Sequence, residues 1–485
     1  MIMLAAPRAE PALPADRAVG LTKIQDAYTS IFIHRPREVV GVWIRRVLLT
    51  TTMAVALGAV AVSPAEAATA PNLSEFRLRP ASNQAELMER VRLLDAQLPK
   101  LGVQNILAQA NRDGTVMTGN GAICNPDVVD DHEPDLQVVY SFCFDSSDSS
   151  VRGGDVEWMP QGMTTVADAQ DDQAWGLAEP LIVSWYNKDS EYVKGSRITF
   201  IDRWTGAYQH VLLAYPFIND SQNATYMSLR NTQNASGSSL HAGGIAWYGN
   251  YLYVADTRRG FRVFDMRYIF DLKAAGDKGN TTDKTRIGRQ NGVFYGHGYR
   301  YVMPEVAAWT SDGGQVEDPS TCRVSGSPKF SFVGLDRTGI DHLTTGEYCN
   351  GADTDDLTGR VARWPLDGDN GGPLLSNDGL WRASSAFRLP QPNIQGALSR
   401  GDTWYLTRSH GVDVPDQNDS GDLLRTSAPG GAAEGVLGPA REITAGVGPE
   451  DLSYWPEFLG FGDVLFTVTE HPGQRMVYAT PISAF

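Results

Sequence analysis

The 485-residue sequence contains none of the short motifs that fix a reaction chemistry. Gly-x-Ser-x-Gly, His-Glu-x-x-His, a Walker loop and a post-strand Gly-x-Gly-x-x-Gly are all missing, so the usual serine esterases, zincins, nucleotidases and nicotinamide enzymes lose support. Cysteine is scarce: there are four, and none forms the Cys-x-x-Cys spacing of a thiolate metal site. Positive charge is also short, with 41 Lys+Arg against 57 Asp+Glu and a net charge of −16. Such a surface repels nucleic-acid phosphate and anionic lipid, which excludes both as expected partners. The longest uncharged apolar stretch, residues 47–62, is shorter than the roughly 20 residues of a membrane span and is diluted by Thr50, Thr51, Thr52 and Gly58.

What that stretch does resemble is the core of a secretory signal. Arg45 and Arg46 supply a basic start, 47–62 the apolar core, and Ala65-Glu66-Ala67 an A-x-A exit, so residues 42–67 are expected to be a signal peptide. Arg45-Arg46-Val47-Leu48-Leu49 is also compatible with twin-arginine export. Residues 1–41 are either an extension or lie upstream of a true start nearer Val42. The expected product is secreted and extracellular, free of the membrane after cleavage, and monomeric. The first 67 residues hold seven Lys+Arg and five Asp+Glu, which leaves −18 on the rest. In an oxidising compartment the cysteines are expected as two local disulfides, Cys124 with Cys143 and Cys322 with Cys349, stapling loops.

One helix is expected ahead of the main body. Asn83 and Glu86 form a capping-box pattern, and Leu87, Val91, Leu94 and Leu98 share one face, so residues 71–112 are read as an N-terminal helical arm. From 136 to 485 the pattern changes to short β runs divided by Gly, Asp, Asn and Pro, an all-β domain. A weak repeat points to a β-propeller. Gln161-Gly162-Met163-Thr164, Gly243-Gly244-Ile245-Ala246, Pro304-Glu305-Val306-Ala307, Gln395-Gly396-Ala397-Leu398 and Glu450-Asp451-Leu452-Ser453 each open a group of strands. Small residues there suit the crowded axis of a propeller. Five blades are expected, opening near 161, 241, 303, 394 and 449, or six if a further group lies between Asp271 and Arg300. The last group is one strand short, and residues 136–144 are placed to close the ring.

Leu252-Tyr253-Val254-Ala255-Asp256-Thr257 followed by Gly260-Phe261-Arg262-Val263-Phe264-Asp265 resembles the strand pair of NHL or YVTN-type propeller repeats, and Pro449-Glu450-Asp451-Leu452 is similar in style. That resemblance implies the fold and leaves the activity open.

In a propeller the inner-strand entrances converge, which would gather Gln161, His241, Glu305, Gln395, Glu450 and Asp451 around one pocket. Glu305, Glu450 and Asp451 are the expected acids, bases or metal ligands; Gln161, His241 and Gln395 would position the substrate. Such a set could bind a polar small molecule or glycan, hold a divalent cation such as calcium, or perform general acid/base chemistry. The leading expectation is a hydrolase or lyase acting on a carbohydrate or lactone. The alternative is a lectin-like or protein-binding propeller without chemistry. Asp353-Thr354-Asp355-Asp356 and the 367–372 segment lack the full calcium-loop pattern and are expected to be turns, as are the charged loop 127–133 and Glu470-His471-Pro472-Gly473. Trp158 and Trp175, which flank Gln161, are the tryptophans best placed for a ligand surface.

Overall fold

Short runs of β-branched and aromatic residues ended by glycine and polar turns cannot extend into long helices, so they pair locally into antiparallel ladders. The computed structural model describes residues 69–130, 133–151, 156–189, 193–234, 236–351, 357–410 and 419–485. The expected extension 1–41, the signal peptide 42–67, Asp131, His132 and Asp353–Asp356 lie outside those residues.

The fold is largely β and of the β-propeller type. A first antiparallel group comprises Trp158–Thr165, Pro180–Asn187, Ser196–Asp202 and Ala207–Ile218. A second comprises Ile245–Tyr248, Tyr251–Asp256, Gly260–Asp265 and Tyr301–Ser311. Phe332–Asp336, His342–Gly346, Arg360–Asp367 and Ser385–Arg388 pair in the same way. So do Ile394–Arg400, Thr403–Arg408, Ser420–Ser427 and Arg441–Val447. The last group starts with Ser453–Trp455, Val464–Val468 and Val477–Pro481, and its fourth strand is the N-terminal Tyr140–Cys143. That strand falls within the 136–144 segment expected to close the ring, and Thr115–Thr118 adds outside it.

The first strands of neighbouring groups lie against one another around a common axis. Their glycines permit it. A Cβ on Gly162 would stand 2.9 Å from the Ile245 amide nitrogen, and one on Gly396 would stand 2.9 Å from the Glu450 carbonyl oxygen. Aromatic and aliphatic side chains fill the space between groups, with Trp185, Trp247, Trp364, Trp381, Trp404 and Trp455 fully buried.

One group opens at a different place from the expected one. Residues near 303 belong to Tyr301–Ser311, which pairs as the outermost strand of the second group, and the third group opens at Phe332. The strand misleads because it is buried along most of its length, like an inner strand. It pairs with Gly260–Asp265, with Ala207–Ile218 of the first group, and with Arg77–Pro80. Between Asp271 and Arg300 stands a small three-stranded sheet, Gly279–Asn280, Ile287–Gln290 and Val293–Gly296.

The helix Gln84–Asp95 buries Leu87, Val91 and Leu94, the face read from the sequence, although Asn83 makes no side-chain cap bond. A second short helix, Val103–Leu107, follows. Both expected disulfides are present, Cys124–Cys143 and Cys322–Cys349. Among the described residues no helix is long and apolar enough to cross a membrane.

Candidate functional site

Strand direction decides which loops meet. In the last group the chain enters Ser453–Trp455 from one end, reverses once, and is back at that end between Val464–Val468 and Val477–Pro481. There the Glu450 N–H donates to the Val468 carbonyl at 2.9 Å and the Glu470 N–H to the Gly448 carbonyl at 3.1 Å. This short ladder sets the two glutamates together, close enough for the Glu470 charge to act on the Glu450 carboxyl.

Burial first, then the Glu470 and Asp451 charges, raise the Glu450 pKa well above the ordinary carboxyl range. Glu450 is 2% exposed, while Glu470 is only partly buried. From the first strand of the first group, Gln161 Nε2 donates to Glu470 Oε2 at 2.8 Å and to the Pro160 carbonyl at 2.8 Å. Glu470 is thus held by an amide from the neighbouring group.

Two rings complete the cluster. His241, just before Ile245–Tyr248, lies 4.6 Å between centroids from Tyr186 at the end of Pro180–Asn187. His241 presents surface to solvent, yet burial among the surrounding protein lowers its imidazole pKa, with the Glu470 charge opposing. The Tyr186 hydroxyl is pushed up by burial and then by the Glu470 and Glu450 charges. Both rings therefore sense the same carboxyl pair.

The remaining expected residues are placed differently. Asp451 is fully buried behind Glu450, and its Oδ2 accepts main-chain N–H groups from Ile245 at 3.0 Å and Met163 at 3.4 Å. It holds strands together. Gln395 is partly buried at a bulge in the Ile394–Arg400 strand, and among the described residues no hydrogen bond joins it to the carboxyl pair. Glu305 does not reach the axis. It is fully buried on the outermost strand of the second group, where Arg262 Nη1 donates to its Oε2 at 2.9 Å while Arg262 Nε donates to Asp256 at 2.8 Å.

Trp175 packs on Trp247 at 4.8 Å, whereas Trp158 lines a separate cavity. The 367–372 segment is a turn, with Asp367 Oδ1 accepting the Asp369 N–H at 3.0 Å. Among the described residues no three His, Cys, Asp or Glu side chains are placed to hold a metal ion.

Glu470 and Tyr186 went unnoticed in the sequence. Glu470 sits in a Glu-His-Pro-Gly stretch that looks only like a turn. The available signal was strand parity: the connection between the second and third strands of a blade returns to the end where the first strand begins.

The pairing pattern defines a fold of the β-propeller type. No family model matches the sequence, and no curated protein matches it. Among solved structures, the GH43_1 enzyme from Xanthomonas citri complexed with xylose is similar at 11% identity and a TM-score of 0.32, over 69% of this chain and 91% of that one. A subtype N10 neuraminidase-like protein of A/little yellow-shouldered bat/Guatemala/060/2010 is similar at 10% identity and a TM-score of 0.27, over 68% of this chain and 99% of that one. The fold assignment rests on the strand pairing described above.

Proposed function

We propose that the protein is a secreted five-bladed β-propeller enzyme that hydrolyses or eliminates a polar substrate of the carbohydrate or lactone class at the Glu450–Glu470 pair. The observation that carries this reading is the placing of buried Glu450, whose carboxyl pKa is raised by burial and by Glu470, beside a Glu470 held by Gln161. Paired groups whose surroundings separate their protonation states are suited to acid and base roles. Glu450 is the proton donor, and Glu470, nearer solvent, is the base that activates water or removes a substrate proton. Gln161 orients the base, and His241 and Tyr186 form the wall against which the substrate lies.

The near-complete burial of Glu450 favours a second reading, in which the pair only hydrogen-bonds a polyol and the protein is a binding propeller. One experiment separates the two. Mature protein, Glu450→Gln and Glu470→Gln are assayed against polysaccharides, aryl glycosides and lactones, with and without chelator. Turnover lost in both variants supports the enzyme. Unchanged turnover in both removes the site. Absent turnover with calorimetric sugar binding that Glu470→Gln abolishes supports the binding propeller.

A further inference from the structure

Beside the carboxyl pair, on the other side of Arg475, lies a cavity of about 600 Å³ bounded by Trp158, Arg197, the 297–300 loop and the 109–112 segment. Its charge is opposite to that of the chain. The whole sequence carries −16, yet the residues lining this cavity include seven Lys or Arg and only two Asp or Glu.

The two acids are already engaged. Asp148 accepts from Arg197 at 2.7 Å and from the Tyr208 hydroxyl at 2.8 Å, and it pairs with Arg112 at 3.1 Å. Burial alone would raise its pKa, but His210, Arg197 and Tyr208 outweigh burial and hold it below the carboxylate range, so it remains a fixed counter-ion. Glu157 is paired with Lys194. Arg300 draws its carboxylate, Asp271, from outside the lining at 2.6 Å.

Three cations are left over. Lys273 and Lys284 end at the cavity with exposed side chains and make no ion pair among the described residues. Arg475 is 2% exposed, and its guanidinium donates to neutral groups: the carbonyls of Asp148 and Trp158 at 2.6 Å, the Ser150 hydroxyl at 3.0 Å, the Glu470 carbonyl at 3.2 Å and the Met159 sulfur at 3.6 Å. Burial and the Arg197 charge lower its pKa only to about 10, so it stays cationic at neutral pH.

Like charges held together in a concave, partly desolvated site repel one another, and an anion entering between them relieves that repulsion. Ammonium and guanidinium groups favour multiply charged oxyanions, which accept several charge-assisted hydrogen bonds at once. The cavity has the size of a small-molecule site. Trp158, with Arg197 stacked 4.5 Å from its ring centroid, adds an aromatic wall for an organic moiety. A polymeric phosphate is disfavoured by the negative charge of the rest of the surface.

We propose that this cavity binds a small organic phosphate or sulfate ester, with Lys273, Lys284 and Arg475 supplying the unmatched positive charge. The proposal stands on the cavity and its charges and does not rest on the chemistry assigned to Glu450 and Glu470.

The test is calorimetric titration of the mature protein with inorganic phosphate, inorganic sulfate and pyrophosphate, with glucose as the neutral control. Wild type should bind at least one of the anions, more weakly as salt is added, and should not bind glucose at this cavity. Lys273→Glu with Lys284→Glu, both on exposed side chains and checked for folding by circular dichroism, should weaken anion binding by about tenfold or more. Glu470→Gln should leave anion binding intact, which separates this site from the carboxyl pair. Binding of phosphate alone or sulfate alone identifies the ester class. No binding of any anion by wild type, or equal affinity in the double variant, overturns the proposal.

Discussion

Asp451 Oδ2 accepts the main-chain N–H of Ile245 at 3.0 Å, although 206 residues separate the two. The amide of Met163 reaches the same oxygen at 3.4 Å. First strands at a propeller axis have an open edge, and the amide groups there lack a ladder partner. One buried carboxylate supplies it for two groups at once. Asp451→Ala should therefore cost about 3 kcal/mol or more, because it leaves two buried donors unsatisfied at once. Urea unfolding measures the loss, and a change below about 1 kcal/mol would show that Asp451 is not an axial tie.

The Glu450–Glu470 pair makes a prediction about pH. Burial, then the Glu470 and Asp451 charges, raise the Glu450 pKa. If Glu450 acts as the acid, activity should fall as that proton is lost, at a pH above the ordinary carboxyl range. Glu470→Gln removes one negative neighbour, so the residual activity should show its alkaline limb at lower pH than wild type. A limb that stays in place assigns the titration to another group.

How far the sequence carried can be judged from particular residues. Short β runs such as 251–255 and 261–265 were legible because alternation, β-branching and turn glycines all pointed the same way. Gly162 and Gly396 were legible as axial positions because only small residues fit where strands converge. Glu305 was misplaced because a buried outer strand, covered by the Arg77–Pro80 segment, has the composition of an inner one. Glu470 was hidden for a different reason. Its significance depends on which end of the blade its turn occupies, and a turn's local composition says nothing about that.

The placement of Glu305 can be tested independently. Two carboxylates, Glu305 and Asp256, flank the single Arg262 guanidinium, and all three side chains are at most 2% exposed. Burial outweighs Arg262 and raises the Glu305 pKa. Glu305→Ala should cost about 3 kcal/mol by breaking a buried ion pair, and Glu305→Gln less, since its amide oxygen still accepts from Arg262. Turnover per folded molecule should be unchanged in both. A selective loss of turnover without loss of stability would return Glu305 to the catalytic group.

Asp168 offers a stability test with a defined sign. It closes the first group against the last: its Oδ2 accepts from the hydroxyls of Thr164 and Ser453, each at 2.7 Å. Burial, which raises the carboxyl pKa, outweighs those bonds and places it at about 6. The folded state thus keeps a proton that the unfolded chain releases near pH 4. Its contribution to stability is fully present below that pH and is lost as pH rises through about 6, with a ceiling of about 3 kcal/mol. Asp168→Asn cannot titrate while keeping an oxygen for both hydroxyls. Between pH 4 and 7, urea unfolding should show wild type losing stability relative to the variant as pH rises. Parallel curves for the two proteins would mean that Asp168 ionises as readily in the folded chain as in the unfolded one.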